Sequence, residues 1–373
     1  MNNREREHAT LSFQKPEDRG AVQETFYPWT LTVERWKEEG LPASLADHLF
    51  TVEGREIGEE EVYLSTLMAD SVSRYETYLG FDMVKRVTFN LPFSHFERKD
   101  LEETEEYVLR QDEDGWQRKY YKKRDLVQEH KPVVASREDW YALKEHGKRE
   151  LEKYYTDENI VRIYSPYLEG HQRGDYSIRL NIMGFFWTPR TLFGIEQHMF
   201  AFYDYPDIMH DMNEFILQIY LDRLGKVLDI LSADVVYIQE DLSGVNGPML
   251  SVGHFNEFVG DYYRRLVPFL KKKGVRHVFV DTDGDFNALI PHFMDAGIEG
   301  FLPMDVNAGM DIVAVREKYP TLKFIGGFNK LEIAKGKDAI DAEFERLMPV
   351  IRQGGYIPGC DHQVAPSTSL EDY

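Results

Sequence analysis

Residues Val275–Asp285 read VRHVFVDTDGD, a short valine-rich apolar run that ends in three acidic side chains. An apolar run of this length is typical of a buried strand, and Asp281, Asp283 and Asp285 follow at its C-terminal end. Barrels and doubly wound sheets of the α/β class place functional carboxylates at this end of their strands. The stretch therefore predicts an α/β fold with an active site at the carboxyl ends of its strands.

The same unit recurs through the second half of the chain. From Ser177 onward, strand candidates alternate with helical stretches, of which 256–273 and 330–353 are the clearest. The strand candidates read SIRLNIMG, DVVYIQEDL, VRHVFVDTDG, GFLPMDV, LKFIGGFN and GYIPGCDH. With Ala21–Phe26 and Val84–Leu91 they make eight, which predicts a TIM (β/α)8 barrel. An open doubly wound sheet is the alternative, although no glycine-rich phosphate fingerprint follows the first strand.

Residues 95–150 depart from this repeat. They contain YVLRQDEDGWQRKYYKK, in which two β-rich arms flank Asp114 and Gly115. This pattern predicts an exposed antiparallel β-hairpin inserted into a single barrel domain that spans 1–373.

The two ends of the chain raise separate expectations. The N-terminal extension is predicted to be helical, with TLTVERWKEEG ending at Gly40 and a further helix over 60–78. After the eighth strand candidate only Gln363–Tyr373 remains, which is too short for a closing helix. Either the chain is truncated, or another segment covers that side of the barrel.

The composition argues against several classes of protein. Its 44 basic and 65 acidic residues give a formal charge of −21, which repels the phosphates of nucleic acid and anionic membrane surfaces. The single cysteine, Cys360, excludes an intramolecular disulfide and suits a reducing compartment. No run approaches the ~20 apolar residues of a membrane span. We therefore expect a soluble, cytoplasmic protein that binds neither nucleic acid nor a membrane.

Polar residues that end neighbouring barrel strands should surround one mouth. Alternation along a strand puts Asp281 and Asp283 on one face, and Cys360 and His362 on one face of another strand. Carboxylates, a thiolate and an imidazole can bind zinc together, whereas carboxylates alone suit Mg²⁺ or Mn²⁺. The residues in these positions are Glu240, Asp241, Asp281, Asp283, Asp305, Asn329, Cys360, Asp361 and His362.

Each of these residues also has a structural interpretation. Asp283 and Asp285 could cap the following helix, and Cys360 could be a small buried apolar residue. His362 could be a hydrogen-bonded structural histidine, and Glu240 a solvated loop acid. Clustering of the whole set at one end of the sheet is what the functional interpretation predicts.

An aromatic span, MGFFWTPRTLFGIEQHMFAFYDYP, occupies residues 183–206 after the third strand candidate. Such a span is typical of core and lid packing. The alternative is an apolar wall for a bulky planar ligand, contacted by Phe185, Phe186 and Trp187.

Several segments also carry a family resemblance. They are EDLSGVNGPMLS at 240–251, VFVDTDGD at 278–285, GFLPMDVNAGMDIVAVREKYP, KFIGGFNK and GGYIPGCDHQVAPSTSLEDY. The chain resembles the uroporphyrinogen decarboxylase superfamily in these segments, and within it the branch of corrinoid-dependent methyltransferases. The resemblance covers nearly the whole chain, is weakest in the inserted hairpin, and implies a TIM barrel.

The resemblance also implies a metal site. In the methyltransferase members, a His-x-Cys pair after the fifth strand and a cysteine after the eighth hold zinc. Asp281 and Asp283 match the pair and Cys360 matches the last ligand. The implied cofactor is therefore a divalent metal, zinc first, in a harder ligand set that is less suited to activate a thiol.

Porphyrinogen decarboxylation fits less well. For that reaction the resemblance implies arginines and a catalytic aspartate near the first two strands. Arg19 precedes the first strand candidate, but the second runs into FNLPFSHF without an aspartate.

These observations predict an enzyme that transfers a methyl group to or from the corrinoid of a separate protein docked over the barrel mouth. The metal would act as a Lewis acid, Glu240 and His362 would transfer protons, and Trp187, Asp305 and Asn329 would contact the small-molecule methyl donor or acceptor. One alternative is a decarboxylase or lyase acting on a small carboxylate. Another is a non-catalytic barrel that binds a corrinoid or tetrapyrrole. The oligomeric state stays open, with a homodimer among the options.

Overall fold

A seven-stranded parallel sheet is the centre of the structure. The computed structural model describes residues 1–24, 26–46 and 75–373. The sheet order follows the chain order, and every neighbouring pair is parallel, as in a (β/α) barrel. The predicted TIM-barrel-like α/β fold is confirmed. From edge to edge the strands are β1 (Val84–Thr88), β6 (Ser177–Met183), β7 (Val235–Gln239), β10 (His277–Thr282), β11 (Gly300–Pro303), β12 (Lys323–Phe328) and β13 (Tyr356–Cys360).

Helices precede and connect these strands. Those before β6 are α1 (Asn3–Leu11), α2 (Thr30–Glu38), α3 (Ala43–Ala46), α4 (Arg137–Tyr154), α5 (Asp157–Tyr164) and α6 (Leu168–Arg173). Those after β6 are α7 (Trp187–Phe193), α8 (Ile195–Asp204), α9 (Pro206–Ile219), α10 (Gly225–Ile230), α11 (Val252–Phe255), α12 (Asp261–Lys272), α13 (Ile290–Asp295), α14 (Ile312–Lys318), α15 (Lys330–Ile333) and α16 (Lys337–Gln353). Short 3₁₀ turns form at Ser165–Tyr167 and Val306–Ala308.

Most of the predicted helices are present. The helix predicted over 256–273 forms a π-helical turn, Asn256–Gly260, that continues into α12; a similar turn, Tyr220–Leu224, joins α9 to α10. The helix predicted over 330–353 is interrupted between α15 and α16. The helix predicted over 60–78 lies outside the described residues, except for its helical end at 75–78.

The insertion forms a separate antiparallel sheet. Its strands are β2 (Lys99–Glu103), β3 (Tyr107–Gln111), β4 (Gln117–Tyr121) and β5 (Val127–Lys131), paired in that order. The predicted hairpin at Asp114 and Gly115 joins β3 to β4, and Gly115 has a φ of +83° that favours glycine. The Trp116 indole donates to the carbonyl of Thr191 in α7 at 2.9 Å, which ties the insertion to the barrel. A two-residue hairpin, β8 (Ser243–Gly244) and β9 (Gly247–Pro248), follows β7.

The predicted first strand, Ala21–Phe26, does not form in the described residues of that segment. Residues 21–24 instead run between the two edges of the sheet. Val22 exchanges hydrogen bonds with Asp82, just before β1, and the Glu24 carboxylate accepts from the amide of Cys360 in β13 at 2.8 Å. In this segment, hydrogen bonds to the carboxylates of Asp82 and Glu24 take the place of the backbone hydrogen bonds of a β-ladder. The segment therefore bridges the two edges of the sheet without forming a strand.

Helix α1 lies across the N-terminal end of the barrel. It begins with a capping box at Asn2. Its Glu7 accepts from the Ser177 hydroxyl at 2.9 Å and pairs with Arg179 at 3.3 Å, both in β6. Leu11 is fully buried with inward-facing strand residues of the barrel. The helix therefore closes the barrel opposite the carboxyl ends of the strands.

The C-terminal residues pack against α2. Thr32 donates to the carbonyl of Val364 at 2.8 Å, and the Trp36 indole donates to that of Thr368 at 3.0 Å. The hydroxyl of Tyr373 donates to Glu24 at 2.7 Å. Helix α2 therefore packs against the residues that follow β13. In the described parts of the chain, every helix is too short or too polar to cross a membrane.

Asp82 should be a large contributor to stability. It is buried, and its carboxylate accepts from Arg6 at 2.5 Å, from Arg19 at 2.7 Å and from the Val22 amide at 2.9 Å. Breaking such buried pairing costs roughly 3 kcal/mol. We expect Asp82→Ala to lose about that much free energy of unfolding in chemical denaturation. Asp18→Ala, which removes a more exposed partner of Arg6, should lose less; equal losses would contradict this role.

Candidate active site

A cavity of about 370 Å³ lies inside the barrel. Val235, Leu302 and Ile325 line its apolar part, and these residues belong to the inward-facing core of the strands. Polar side chains from β1, β6, β7 and β10 and from the segment after β13 line the rest. The cavity therefore extends from the barrel interior to the carboxyl ends of the strands, where the sequence analysis expected the site.

Side-chain alternation decides which residues reach this cavity. Phe279 of β10 faces the barrel interior, so Asp281, two residues later, also faces inward. Val235 of β7 faces inward in the same way, followed by Tyr237 and Gln239, which line the cavity. The registers place Asp281 beside Gln239 of β7.

Asp281 is the most unusual of the lining groups. It is only 8% exposed, and no hydrogen bond to its carboxylate is present among the described residues. Burial, and then the nearby carboxylates of Asp241 and Asp283, raise the pKa of Asp281 well above its usual range. A positive group placed beside Asp281 would oppose this shift.

Asp283 and His362 form a pair in the same cavity. Their nearest side-chain atoms, Nε2 and Oδ2, are 3.6 Å apart. This contact with Asp283 raises the pKa of His362, against the effect of burial. The ring of Phe26 packs 5.1 Å from the imidazole. The predicted location of both residues at one site is what the structure shows; their roles stay predictions.

Two arginines at the other side of the cavity are already neutralised. Arg86 of β1 pairs with buried Glu76 at 2.6 Å and donates to the carbonyl of Glu24 at 2.8 Å. Arg179 of β6 pairs with Glu7 and also donates to Gln23. Neither guanidinium is left as an uncompensated positive charge for an anionic ligand.

Glu240 does not lie in this cavity. It follows inward-facing Gln239 and so points to the outside of the sheet, where it is fully buried. Its carboxylate accepts from the amides of Phe185, Phe186 and Trp187 at 2.9 to 3.0 Å and from the Tyr263 hydroxyl. A Cβ at Gly184 would lie 2.0 Å from its Cδ. Glu240 therefore fixes the start of α7, and the predicted proton-transfer role is not supported.

Cys360 also faces away from the aspartates. Ile357 of β13 points into the barrel, so alternation turns Cys360 outward, while His362 lies beyond the strand and reaches the cavity. Cys360 lines a separate cavity of about 210 Å³ with Phe328 and Tyr373. Burial raises the pKa of its thiol well above the usual range, which disfavours the thiolate that zinc requires.

The predicted metal set, Asp281, Asp283 and Cys360, is therefore not assembled. Within residues 1–24, 26–46 and 75–373, no three His, Cys, Asp or Glu side chains are grouped so as to hold a metal ion. The residues present do not fit the zinc site that the family resemblance implied, and no chemical step is assigned to a metal.

The three predicted substrate contacts lie elsewhere too. Trp187 lines a different cavity, of about 500 Å³, between α7 and the insertion. Asp305 accepts from the Asn307 amide at 3.0 Å and caps a 3₁₀ turn. Asn329 accepts from the Leu331 amide at 3.1 Å and caps α15. Asp285, expected to cap, accepts from the amide of Asn287 at 3.0 Å.

Several cavity residues were missed by the sequence analysis. They are Tyr27, Arg86, Arg179, Asn181, Tyr237 and Gln239. A signal existed for some of them, since a charged residue within the apolar runs VKRVT and SIRLNIM is unusual unless it is paired. The sequence prediction considered only residues at strand ends, and it therefore missed side chains that reach the cavity from the middle of a strand.

Comparisons with known proteins agree with this architecture. The family model described as uroporphyrinogen decarboxylase (URO-D) matches residues 178–373. A solved methyltransferase from Methanosarcina mazei aligns with 100% of this chain and 96% of its own, at a TM-score of 0.56 and 15% identity. At that identity the alignment shows a shared fold.

A second solved structure, assigned as a vitamin-B12 independent methionine synthase from Listeria monocytogenes, covers 96% of this chain and 93% of its own. Its TM-score of 0.37 and 10% identity are too low to support a conclusion. No curated protein sequence matches the chain significantly.

Glu240 should make stability depend on pH. Burial raises its pKa from 4.5 to about 7, although four donors favour the carboxylate. Between these values the native state holds a proton that the unfolded chain releases, so stability falls as pH rises, by roughly 3 kcal/mol in total. Chemical denaturation across this range should show the slope in wild type and in exposed Glu317→Gln, and a flatter one in Glu240→Gln. An unchanged slope in Glu240→Gln would contradict the assignment.

The His362 imidazole should report its contact with Asp283. Because Asp283 raises the pKa of His362, Asp283→Asn should move the His362 titration to lower pH in NMR. His362→Gln assigns the resonance, and Asp295→Asn, which removes an exposed aspartate, should leave the titration unchanged. An unshifted titration in Asp283→Asn would show that the two side chains do not interact in solution.

Proposed function

The chain belongs to the uroporphyrinogen decarboxylase family, and we propose that it is an enzyme that transfers a methyl group to or from a corrinoid carried by a separate protein. The observation that best supports this proposal is the barrel cavity itself, its size and its distribution of charge. Both properties argue against the tetrapyrrole substrates that the family's description suggests.

The cavity is too small for a tetrapyrrole. Its volume of about 370 Å³ lies near the lower end of the range of roughly 300 to 1,000 Å³ that is typical of small-molecule pockets. Four linked five-membered rings with their acidic side chains exceed that volume. A small methyl donor or acceptor fits, while a corrinoid would have to stay outside on its own protein. The same limit disfavours a barrel that stores a corrinoid or tetrapyrrole.

The charges disfavour a carboxylate substrate as well. Binding an acid needs positive groups that are free to pair with it. Arg86 and Arg179 are each already paired with a glutamate, and the remaining cavity acids outnumber His362. A decarboxylase or lyase acting on a small carboxylate would therefore bind its substrate against the local charge.

The alignment with the Methanosarcina mazei methyltransferase favours the same choice within the family. That protein shares this fold over nearly its whole length, and its name describes it as a methyltransferase.

The chain's own residues have limited roles in this proposal. His362 is a cavity group that can hold or move a proton, at Nε2, and its contact with Asp283 raises its pKa. Asp281 supplies a second acidic group deeper in the barrel. Asp305 and Asn329 cap turns of the neighbouring loops, and buried Asp361 joins these loops by accepting from the Val306 and Lys330 amides at 3.2 and 3.1 Å. These loops give the mouth a fixed shape on which a partner protein can dock.

Methyl transfer to a corrinoid tests the proposal. The purified protein is incubated with reduced cobalamin and a panel of methylated amines, sulfonium compounds, thioethers and methyl ethers, and the corrinoid absorbance is followed. We expect transfer from at least one donor, with a rate reduced roughly 100-fold in Asp281→Asn, since removing one preorganised electrostatic group costs about that much. The exposed-site variant Asp295→Asn should retain the wild-type rate.

Two outcomes would count against the proposal. The first is the absence of transfer from every donor in the panel, both with free cobalamin and with corrinoid proteins. The second is release of carbon dioxide from small carboxylates that is lost in Asp281→Asn, which would favour the decarboxylase alternative.

A further inference from the structure

Most acidic and basic side chains of the barrel cavity are paired, and Asp281 is not. Arg86 pairs with Glu76, Arg179 with Glu7, and His362 contacts Asp283. Asp241 is more exposed than Asp281, and Arg190, which donates to the Asp241 carbonyl at 2.6 Å, supplies a nearby positive charge. Of the described acidic and basic side chains that line the cavity, Asp281 is the one that is nine-tenths buried without a counter-charge or a hydrogen bond.

A buried carboxyl group without a partner is costly, because it loses its hydration and gains nothing in return. Such groups cluster at sites where a ligand supplies the missing interaction. Asp281 is more than nine-tenths buried, and it points into a cavity large enough to hold a ligand. A positive charge beside it would compensate both Asp281 and its acidic neighbour Asp241.

The surroundings of Asp281 suit an alkylated cation. Tyr237 and Leu302 lie on the strands to either side of it, and Ile325 lines the apolar part of the cavity. A primary ammonium would need three acceptors for its N–H groups, whereas a methylated cation needs none and is attracted to aromatic faces. A bare metal ion would need a ligand set that the described side chains do not form.

We propose that the cavity binds the methyl donor as an onium ion, a quaternary ammonium or sulfonium compound, with its charge beside Asp281 and its alkyl groups against Tyr237, Leu302 and Ile325. This inference rests on the proposed methyl transfer and names its donor class.

An onium donor also fits the chemistry of the site. The bond from nitrogen or sulfur to the methyl carbon breaks with its electron pair staying on the heteroatom, which leaves as a neutral amine or thioether. The electron pair of the new bond to carbon comes from the reduced corrinoid of the partner protein, and no proton moves. A leaving group that departs neutral needs no Lewis acid, so the reaction does not require the ligand set that Cys360 fails to complete.

Binding of a cation and its neutral isostere tests this directly. Choline and 3,3-dimethylbutan-1-ol have the same shape, and only choline carries a charge. By calorimetry we expect choline to bind at least ~10-fold more tightly, as for a desolvated cation on an aromatic surface. Trimethylsulfonium, in a separate arm, distinguishes a sulfonium from an ammonium site.

Variants test whether the preference for choline depends on Asp281 and Tyr237. Asp281→Asn should abolish the preference for choline and leave the weak binding of the neutral alcohol unchanged. Because the carboxyl group makes no hydrogen bond in the folded state, this variant should melt at or above the wild-type temperature. Tyr237→Leu is a second variant that should weaken binding of choline more than that of the alcohol. Asp295→Asn is the matched control, and it should bind both probes as wild type does.

The outcomes separate this inference from the function it rests on. Equal binding of both probes, or a preference that survives Asp281→Asn, would overturn the onium inference. Methyl transfer from thioethers or methyl ethers alone would also overturn it, while supporting the proposed function. A choline preference that depends on Asp281, together with no methyl transfer to any corrinoid, would support an onium site and overturn the proposed function.

Discussion

Alternation of side chains along parallel strands is the constraint on which the whole site depends. Because one residue in two faces the barrel interior, Asp281 enters the cavity, whereas Glu240 and Cys360 end up on the outer face of the sheet. A shift of one residue in any of these strands would exchange the two sets. Next to the polar part of the cavity, the inward-facing strand residues are apolar and buried. Their burial fixes which residues of each strand face inward, and it thereby determines which side chains line the cavity.

Pairing of charges then determines what the cavity can hold. Buried ions are stable in a protein interior only when they are compensated. Helix α1 and the segment before β1 provide acids for Arg179 and Arg86, which removes their capacity to bind an anionic ligand. The acidic side chain that remains unpaired, Asp281, lies in β10. A cavity that contains two arginines can therefore still favour a cation, because the glutamates paired with those arginines compensate their positive charge.

The sequence predicted the parts that depend on local pattern. Alternation of apolar runs with helical stretches indicated the barrel, glycine at position 115 indicated the hairpin, and the acids after β10 indicated the position of the site. The errors came from contacts between distant segments. The strand predicted at Ala21–Phe26 is absent in its described residues, since Asp82 and Glu24 bond the chain there through side chains. The buried position of Glu240 outside the cavity could not be predicted from the sequence, because its partners, the amides of 185–187, lie more than 50 residues away.

By itself, the sequence determined the fold class, the inserted hairpin and the end of the sheet where the candidate site lies, because hydrophobic period and turn residues act within a few positions of the chain. Only the tertiary structure decided which acids share the cavity, which arginines are neutralised, and that Cys360 does not join Asp281 and Asp283. These features depend on which residues of each strand face inward, and on contacts between side chains that are far apart in the sequence. The stretch VRHVFVDTDGD thus indicated the candidate site, whereas its surroundings determined that Asp281 has no counter-charge in the cavity.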